Sequence, residues 1–162
     1  MSLKIDIVVE SGDWAALPDV EGLTRAAVEA CVAVSGADVG DNEELSLLLC
    51  DDARIRELNR DFRGLDKPTN VLSFPAATSP GQTVLGDIAI AQETIAREAI
   101  KERKSLSDHY THMVVHGLLH ILGYDHEADD EAEEMEALER GILDRLGIAD
   151  PYLDDGKDMR KS

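Results

Sequence analysis

Hydrophobic and polar positions change period along the first third of the chain. Apolar residues alternate with polar ones between residues 3 and 9, which predicts a strand with one buried face. From Pro18 to Val34 the apolar residues recur three and four positions apart, as on one side of a helix, and residues 36–42 interrupt that pattern. The run ELSLLLC at residues 44–50 predicts a second, buried strand.

The rest of the chain adds a short helix, two strands and three longer helices. Asp51 or Asp52 can cap a short helix that carries Ile55 and Leu58 on one side. The later predicted elements are a turn-rich segment at 63–70, strands at 71–74 and 86–91 joined through a hairpin or a meandering connection at 75–81, and helices at 92–103, 107–122 and 128–146. The order βαβαββααα differs from the regular alternation of a doubly wound sheet. We therefore predict an α+β fold with a small mixed sheet of about four strands covered by helices.

The length of 162 residues fits one hydrophobic core. We expect residues 1–153 to form a single domain and the polar residues 154–162 to form a tail without packed structure. No window approaches the roughly 18 to 20 apolar residues of a membrane span, and acidic residues interrupt the N-terminus where a signal peptide is apolar. These features predict a cytoplasmic protein with no membrane partner.

Charge is distributed very unevenly. The net charge of −18 excludes an ordinary basic nucleic-acid binder. Residues 125–155 hold 13 acidic residues against two arginines, whereas residues 51–105 hold nine of each sign and are rich in arginine. The acidic run predicts a solvated helix face, with an acidic docking surface as the alternative. An anionic partner is expected to approach the middle of the chain.

Cysteine usage points away from disulfides and from a thiolate metal site. Cys31 and Cys50 are far apart and lack CxxC spacing. Both are interpreted as small buried hydrophobic residues.

All five histidines lie between residues 109 and 126. His116 and His120 are four residues apart, so both can bind one ion from the same helix face. Gly123 lets the chain leave the helix through a left-handed conformation, which can return His126 towards this pair. His109 and His112 lie one to two turns earlier, and packing or polar contacts explain them without ligation.

The spacing HxxxHxxGxxH equals that of the metzincin proteases, but Gly117 replaces the glutamate that activates water in those enzymes. A metzincin-like peptidase is therefore disfavoured. Three imidazoles leave an open coordination position, which is typical of a catalytic site. We expect one Zn²⁺ per chain, although nickel, cobalt and copper also accept imidazole.

The segment HGLLHILGYDH at residues 116–126 resembles the signature of the YbeY endoribonucleases. LNRDFRGLDKPTNVLSFP at residues 58–75 and LGDIAI at residues 85–90 resemble two further blocks of that family. The resemblance implies a metal-dependent endoribonuclease that cuts single-stranded RNA, matures the 3′ end of small-subunit ribosomal RNA and acts in ribosome quality control. It implies RNA and the ribosome or its proteins as partners, with no DNA expected.

The resemblance also assigns roles to residues. The metal ligands fall on His116, His120 and His126, and a functionally important arginine falls on Arg63. A forked guanidinium beside a metal suits a phosphodiester, although Arg63 could instead pair with Asp61 or Asp66. Asp87 and Asp125 could each hydrogen-bond a ligand histidine, and a place in a turn explains Asp87 equally well. Arg54, Arg56, Arg60, Arg63 and Lys67 could line a positive groove.

The sequence leaves the chemistry of cleavage open. No general base can be named, and either water or the 2′-hydroxyl of the RNA could attack the phosphorus. Two other functions also stay open: a non-catalytic ribosome-assembly factor with a structural zinc, and a metal-dependent hydrolase of another substrate. The few aromatic residues, two Phe, three Tyr and one Trp, suggest weak base recognition by stacking.

Overall fold

The computed structural model describes residues 3–37, 39, 43–76, 84–124 and 128–152. Its elements follow the predicted order βαβαββααα, with one added 3₁₀ turn, Trp14–Ala16. The strands are β1 (Lys4–Val9), β2 (Glu44–Cys50), β3 (Val71–Pro75) and β4 (Val84–Ala91). The helices are α1 (Val20–Ser35), α2 (Asp52–Arg63), α3 (Gln92–Lys101), α4 (Leu106–Ile121) and α5 (Asp129–Arg145). The fold is therefore α+β, as predicted, and the predicted tail at 154–162 lies outside the described residues.

The four strands form one mixed sheet in the order β1-β2-β4-β3. β2 pairs in parallel with both β1 and β4, whereas β3 pairs antiparallel with β4. The sheet therefore has β1 at one edge and β3 at the other. This arrangement confirms the small mixed sheet of the sequence analysis.

Alternating side chains of the sheet enter two separate hydrophobic clusters, because successive residues of a strand point to opposite faces. Leu45, Leu47, Leu49, Ile88 and Ile90 belong to the main cluster, together with buried residues of α1, α4 and α5. On the other face, Leu72 and Ala89 pack with Ile55 of α2. Helix α2 thus covers one face of the sheet and α4 lies against the other.

Local sequence sets the ends of the two helices that border the site. Asp51 caps α2 by accepting a hydrogen bond from the Arg54 N–H at 2.9 Å, and Gly64 ends the helix with φ +75°. Ser105 caps α4 by accepting from the Asp108 N–H at 3.0 Å. Gly123 follows α4 with φ +104°, which confirms the predicted left-handed exit. In the described part of the chain, no helix combines the length and apolar character needed to cross a membrane.

Candidate metal centre

Helix α4 carries four of the five histidines at intervals of three and four residues. His116 and His120 lie one turn apart near its C-terminus, and their Nε2 atoms are 3.2 Å apart. Their rings are nearly perpendicular, at 79°. Two nitrogens bound to one tetrahedral zinc at 2.0 to 2.1 Å would lie about 3.3 Å apart. The spacing of this pair therefore fits one metal ion.

Helix α5 supplies a carboxylate that the sequence analysis did not select. Glu139 is fully buried, and its Oε1 accepts from His112 Nε2 at 2.6 Å while its Oε2 accepts from His116 Nδ1 at 2.9 Å. The Tyr152 hydroxyl also donates to Oε1, at 2.5 Å. Glu139 thus joins two turns of α4 to α5.

These contacts keep Glu139 ionised. Burial by itself raises the pKa of the Glu139 carboxyl group, but the hydrogen bonds from His112 and His116 outweigh burial and lower the pKa to about 2. Burial lowers the pKa of His112, against the opposing effect of Glu139. Neutral imidazoles donate N–H groups as charged ones do, so the carboxylate is stabilised in either state of His112.

The donor atoms of His112, His116 and Glu139 lie within 4.8 Å of one another, close enough to hold a metal ion. This set shares only His116 with the ligands inferred from the sequence. His116 can also bind a metal together with His120 instead of with His112 and Glu139. Because Glu139 accepts from Nδ1 of His116, the proton of the neutral ring is placed on Nδ1 and the lone pair on Nε2, which faces His120.

His109 belongs to a separate polar cluster. Its Nε2 lies 2.7 Å from Oε1 of Glu98, and the Asn70 side chain donates to both oxygens of Glu98 at 3.2 Å. His109 is buried. His109 thus makes a polar contact of the kind predicted for it, whereas His112 belongs to the group that can hold a metal.

Arg63 lies at the C-terminus of α2 and lines the same cleft as His116 and His120. This cleft of about 570 Å³ runs over the edge strand β3. The other lining residues are Thr69, Asn70, Val71, Ser73, Pro75, Gly123 and Tyr124. Residues from opposite faces of the sheet therefore meet at one edge.

The two acids expected to compete for Arg63 have other partners. Arg60 pairs with Asp61 at 3.0 Å, and Arg56 pairs with Asp66 at 2.7 Å. Arg63 itself has no ion pair within the described ranges. Arg54 is also paired, with Glu10 at 2.9 Å. The positive charge of the predicted groove is thus smaller than expected, and Arg63 is the arginine of α2 that lines the cleft.

Three other predicted site residues are Asp87, Asp125 and His126. Asp87 is exposed on β4 and does not line the cleft that holds His116 and His120; Glu139, and not Asp87, holds the ring of His116. Asp125 and His126 lie outside the described residues. Beyond α4, the Tyr124 N–H donates to the Leu119 carbonyl at 3.0 Å.

Close packing explains why α4 carries glycine at position 117. A Cβ atom at Gly117 would lie 3.0 Å from Cγ2 of Ile88 and 3.1 Å from Oγ of Ser73. The Ser73 hydroxyl also donates to the Gly117 carbonyl at 3.0 Å. Any larger side chain would require Ile88 and Ser73 to shift by a few tenths of an ångström, so the packing disfavours the glutamate of the metzincin arrangement.

Periodicity could have identified Glu139. Met135, Glu139 and Ile142 follow one another at four and three residues and are all buried, so Glu139 lies on the apolar stripe of α5. A carboxylate on such a stripe needs a buried partner. The acidic run predicts a solvated position for Glu139, and this prediction is wrong for this residue.

Comparison with known proteins agrees with the residue patterns. The family model described as endoribonuclease YbeY matches residues 12–147. The chain is 54% identical over 153 residues to endoribonuclease YbeY of Azorhizobium caulinodans, covering 93% of this chain and 96% of the relative. It is 49% identical to the protein of that name from Sinorhizobium fredii, covering 94% of each. The solution structure of TM1509 from Thermotoga maritima matches with a TM-score of 0.55 and 25% identity, over 94% of this chain and 97% of that one. The chain therefore belongs to the YbeY endoribonuclease family.

Proposed function

We propose that this chain is a zinc-dependent endoribonuclease that cuts single-stranded RNA during ribosomal RNA maturation, including the 3′ end of the small-subunit RNA, and in ribosome quality control. The observation that carries the proposal is one cleft lined by His116, His120 and an arginine without a carboxylate partner in the described part of the chain. The role implies a cytoplasmic protein that contacts the ribosome or its proteins.

The proposed ligands of a single zinc ion are His116 and His120 through Nε2, with His126 as the third. The 3.2 Å separation of the two Nε2 atoms supports the first two. The hydrogen bond from His116 Nδ1 to Glu139 supports them further, because a carboxylate behind a histidine commonly fixes the tautomer and orientation that ligation needs.

The alternative set of His112, His116 and Glu139 is less favourable on chemical grounds. Both oxygens of Glu139 already accept hydrogen bonds, two of them from imidazoles and one from Tyr152. An ion between these groups would have to replace all three bonds in a buried site. An ion beside His116 and His120 would lie in the open cleft, where a substrate can reach it.

A bound zinc ion would supply Lewis acidity, which polarises a phosphoryl oxygen and makes the phosphorus more electrophilic. Arg63 would hold the scissile phosphodiester with its forked N–H groups and stabilise negative charge that develops on the phosphate oxygens. Glu139 would keep the proton of His116 on Nδ1. Thr69, Asn70 and Ser73 offer polar groups along the same wall.

The cleft reconciles an RNA substrate with a net charge of −18. Among the described residues, no aspartate or glutamate lines it. Arg63 contributes a positive charge at one side, and the acids of α5 lie on a helix that packs against α1 and α4. An RNA backbone can therefore approach over β3 without meeting the acidic helix.

The test combines metal content with cleavage of a single-stranded RNA. Purified wild type is expected to hold one zinc ion per chain and to cut. Arg63→Ala is expected to keep zinc and lose cleavage, whereas His120→Ala is expected to lose both. Arg60→Ala is the matched control, since that exposed arginine pairs with Asp61 outside the cleft.

Other outcomes would overturn parts of the proposal. Full zinc content in His120→Ala would favour the set of His112, His116 and Glu139. Equal residual cutting in all variants would indicate a contaminating nuclease and support an assembly factor with a structural zinc. Peptide turnover that RNA does not affect would indicate a hydrolase of another substrate.

A further inference from the structure

Both phenylalanines of the chain pack together between the end of α2 and β3, the strand over which the cleft runs. Phe62 immediately precedes Arg63 at the end of α2, and Phe74 lies on β3 between Ser73 and Pro75, which both line the cleft. The ring centroids are 5.3 Å apart in an edge-to-face arrangement. Phe74 packs with the hydrophobic cluster beneath α2 and so gives Phe62 a fixed support.

Phe62 is 69% exposed, although an aromatic ring of this size gains free energy from burial. Ile55, Asn59 and Phe62 follow one another at four and three residues, and the first two are buried. Phe62 thus continues the inner stripe of α2 at the point where the helix passes the sheet edge. Phe74 contacts its ring edge to face, and most of Phe62 stays exposed.

We propose that Phe62, supported by Phe74, is a stacking subsite for an unpaired nucleobase of the RNA. The inference rests on the proposed function. Along a single strand each phosphate is joined through its sugar to a base, so a phosphate held by Arg63 places a base within reach of a neighbouring residue. An exposed aromatic next to an arginine supplies both contacts, and stacking tolerates any base because every base has a π face.

The surroundings of Phe62 favour a nucleotide over a protein partner. Its neighbours in the chain are charged and exposed, namely Arg60, Asp61 and Arg63. Leu65, three positions further along the chain, is 45% exposed, whereas the exposed Val8 and Val9 belong to β1 at the opposite edge of the sheet.

The experiment measures kcat and KM of the zinc-loaded protein on a single-stranded 12-nucleotide RNA that carries one cleavage site. Phe62→Ala is expected to lower kcat/KM by about tenfold, mainly through KM, because stacking on one aromatic contributes at that level. Phe62→Trp is expected to restore it. Ile100→Ala is the matched control, since Ile100 is an 81% exposed apolar residue on α3.

A second substrate isolates stacking from any effect on folding. A series of RNAs, each with one abasic position near the cleavage site, should contain a member on which wild type and Phe62→Ala have the same kcat/KM. Equal zinc content and melting temperature in all variants would confirm that the fold is intact.

Three results would overturn the subsite while leaving the nuclease in place. The first is an unchanged kcat/KM in Phe62→Ala, and the second is a failure of Phe62→Trp to restore kcat/KM. The third is a loss of kcat/KM in Phe62→Ala that is as large on every abasic RNA as on the intact RNA. A Phe62→Ala variant that cuts RNA normally but fails to bind ribosomes would assign the ring to protein docking. Absence of cleavage by zinc-loaded wild type would overturn the proposed function and the subsite together.

Discussion

Oε2 of Glu139 accepts a hydrogen bond from Nδ1 of His116 at 2.9 Å, and this bond joins α5 to α4 inside the protein. The two residues are 23 positions apart in the chain. The bond sets which nitrogen of His116 carries the proton, and therefore which one can bind a metal. The last helix thus takes part in the site although it contributes no residue to the cleft.

Glu139→Gln is expected to weaken zinc binding by about 10- to 100-fold, because the neutral amide holds the His116 tautomer and orientation less strongly. Competition with a chromophoric chelator measures the affinity. Glu133→Gln, an exposed acid on the same helix, is the control and should bind zinc as wild type does. Failure of Glu139→Gln to bind zinc even at saturation would show that Glu139 is a ligand, and wild-type affinity would refute any role in positioning.

Much of this arrangement can be predicted from local sequence. Asp51, Ser105 and Gly123 act on neighbouring backbone, so the helix ends that they set can be predicted. The pair His116 and His120 follows from helical spacing in the same way.

Partners distant in the chain could not be predicted. The hydrogen bonds of Glu139 depend on how α5 packs on α4, and the approach of Arg63 to His116 depends on where α2 and α4 meet across β3. No pattern in the sequence around Arg63 indicates that it lies near His116. For Glu139, the apolar stripe of α5 shows burial but not which histidines it meets.

Two helical glycines provide a matched test of the packing at position 117. Gly117→Ala is expected to lower the free energy of unfolding by about 1 to 3 kcal/mol, because the new methyl group would crowd Ile88 and Ser73. Gly141→Ala should raise it by about 0.5 to 1 kcal/mol, since the nearest atom is 3.8 Å away and alanine favours helix. Urea unfolding measures both values. A stabilised Gly117→Ala protein would show that α4 can move away from the sheet.

The two thiols are expected to be unreactive in the folded protein. Cys31 and Cys50 are fully buried, and burial raises the pKa of each to about 12. A disulfide reagent that labels thiolates at pH 8 should therefore leave the native protein unmodified and label two thiols per chain after unfolding. Ala33→Cys places a thiol on the exposed face of α1 and should react at once with one equivalent. Rapid labelling of native wild type would show that α1 or β2 opens locally.

Stability is expected to fall in acid partly through Glu98. Burial raises the pKa of this carboxyl group, but hydrogen bonds from His109 and Asn70 outweigh it, and the net effect lowers the pKa below its ordinary value of 4.5. A carboxyl group with a lowered pKa in the folded state stabilises the protein above pH 4.5, and this contribution is lost as the pH falls below that value. Glu98→Gln removes the titrating group, so wild type should exceed it in free energy of unfolding by more at pH 7 than at pH 4. Urea unfolding at the two pH values measures this change, and Glu29→Gln, an exposed acid on α1, should show no such change. An equal difference between wild type and Glu98→Gln at both pH values would mean that His109 and Asn70 do not stabilise the ionised form.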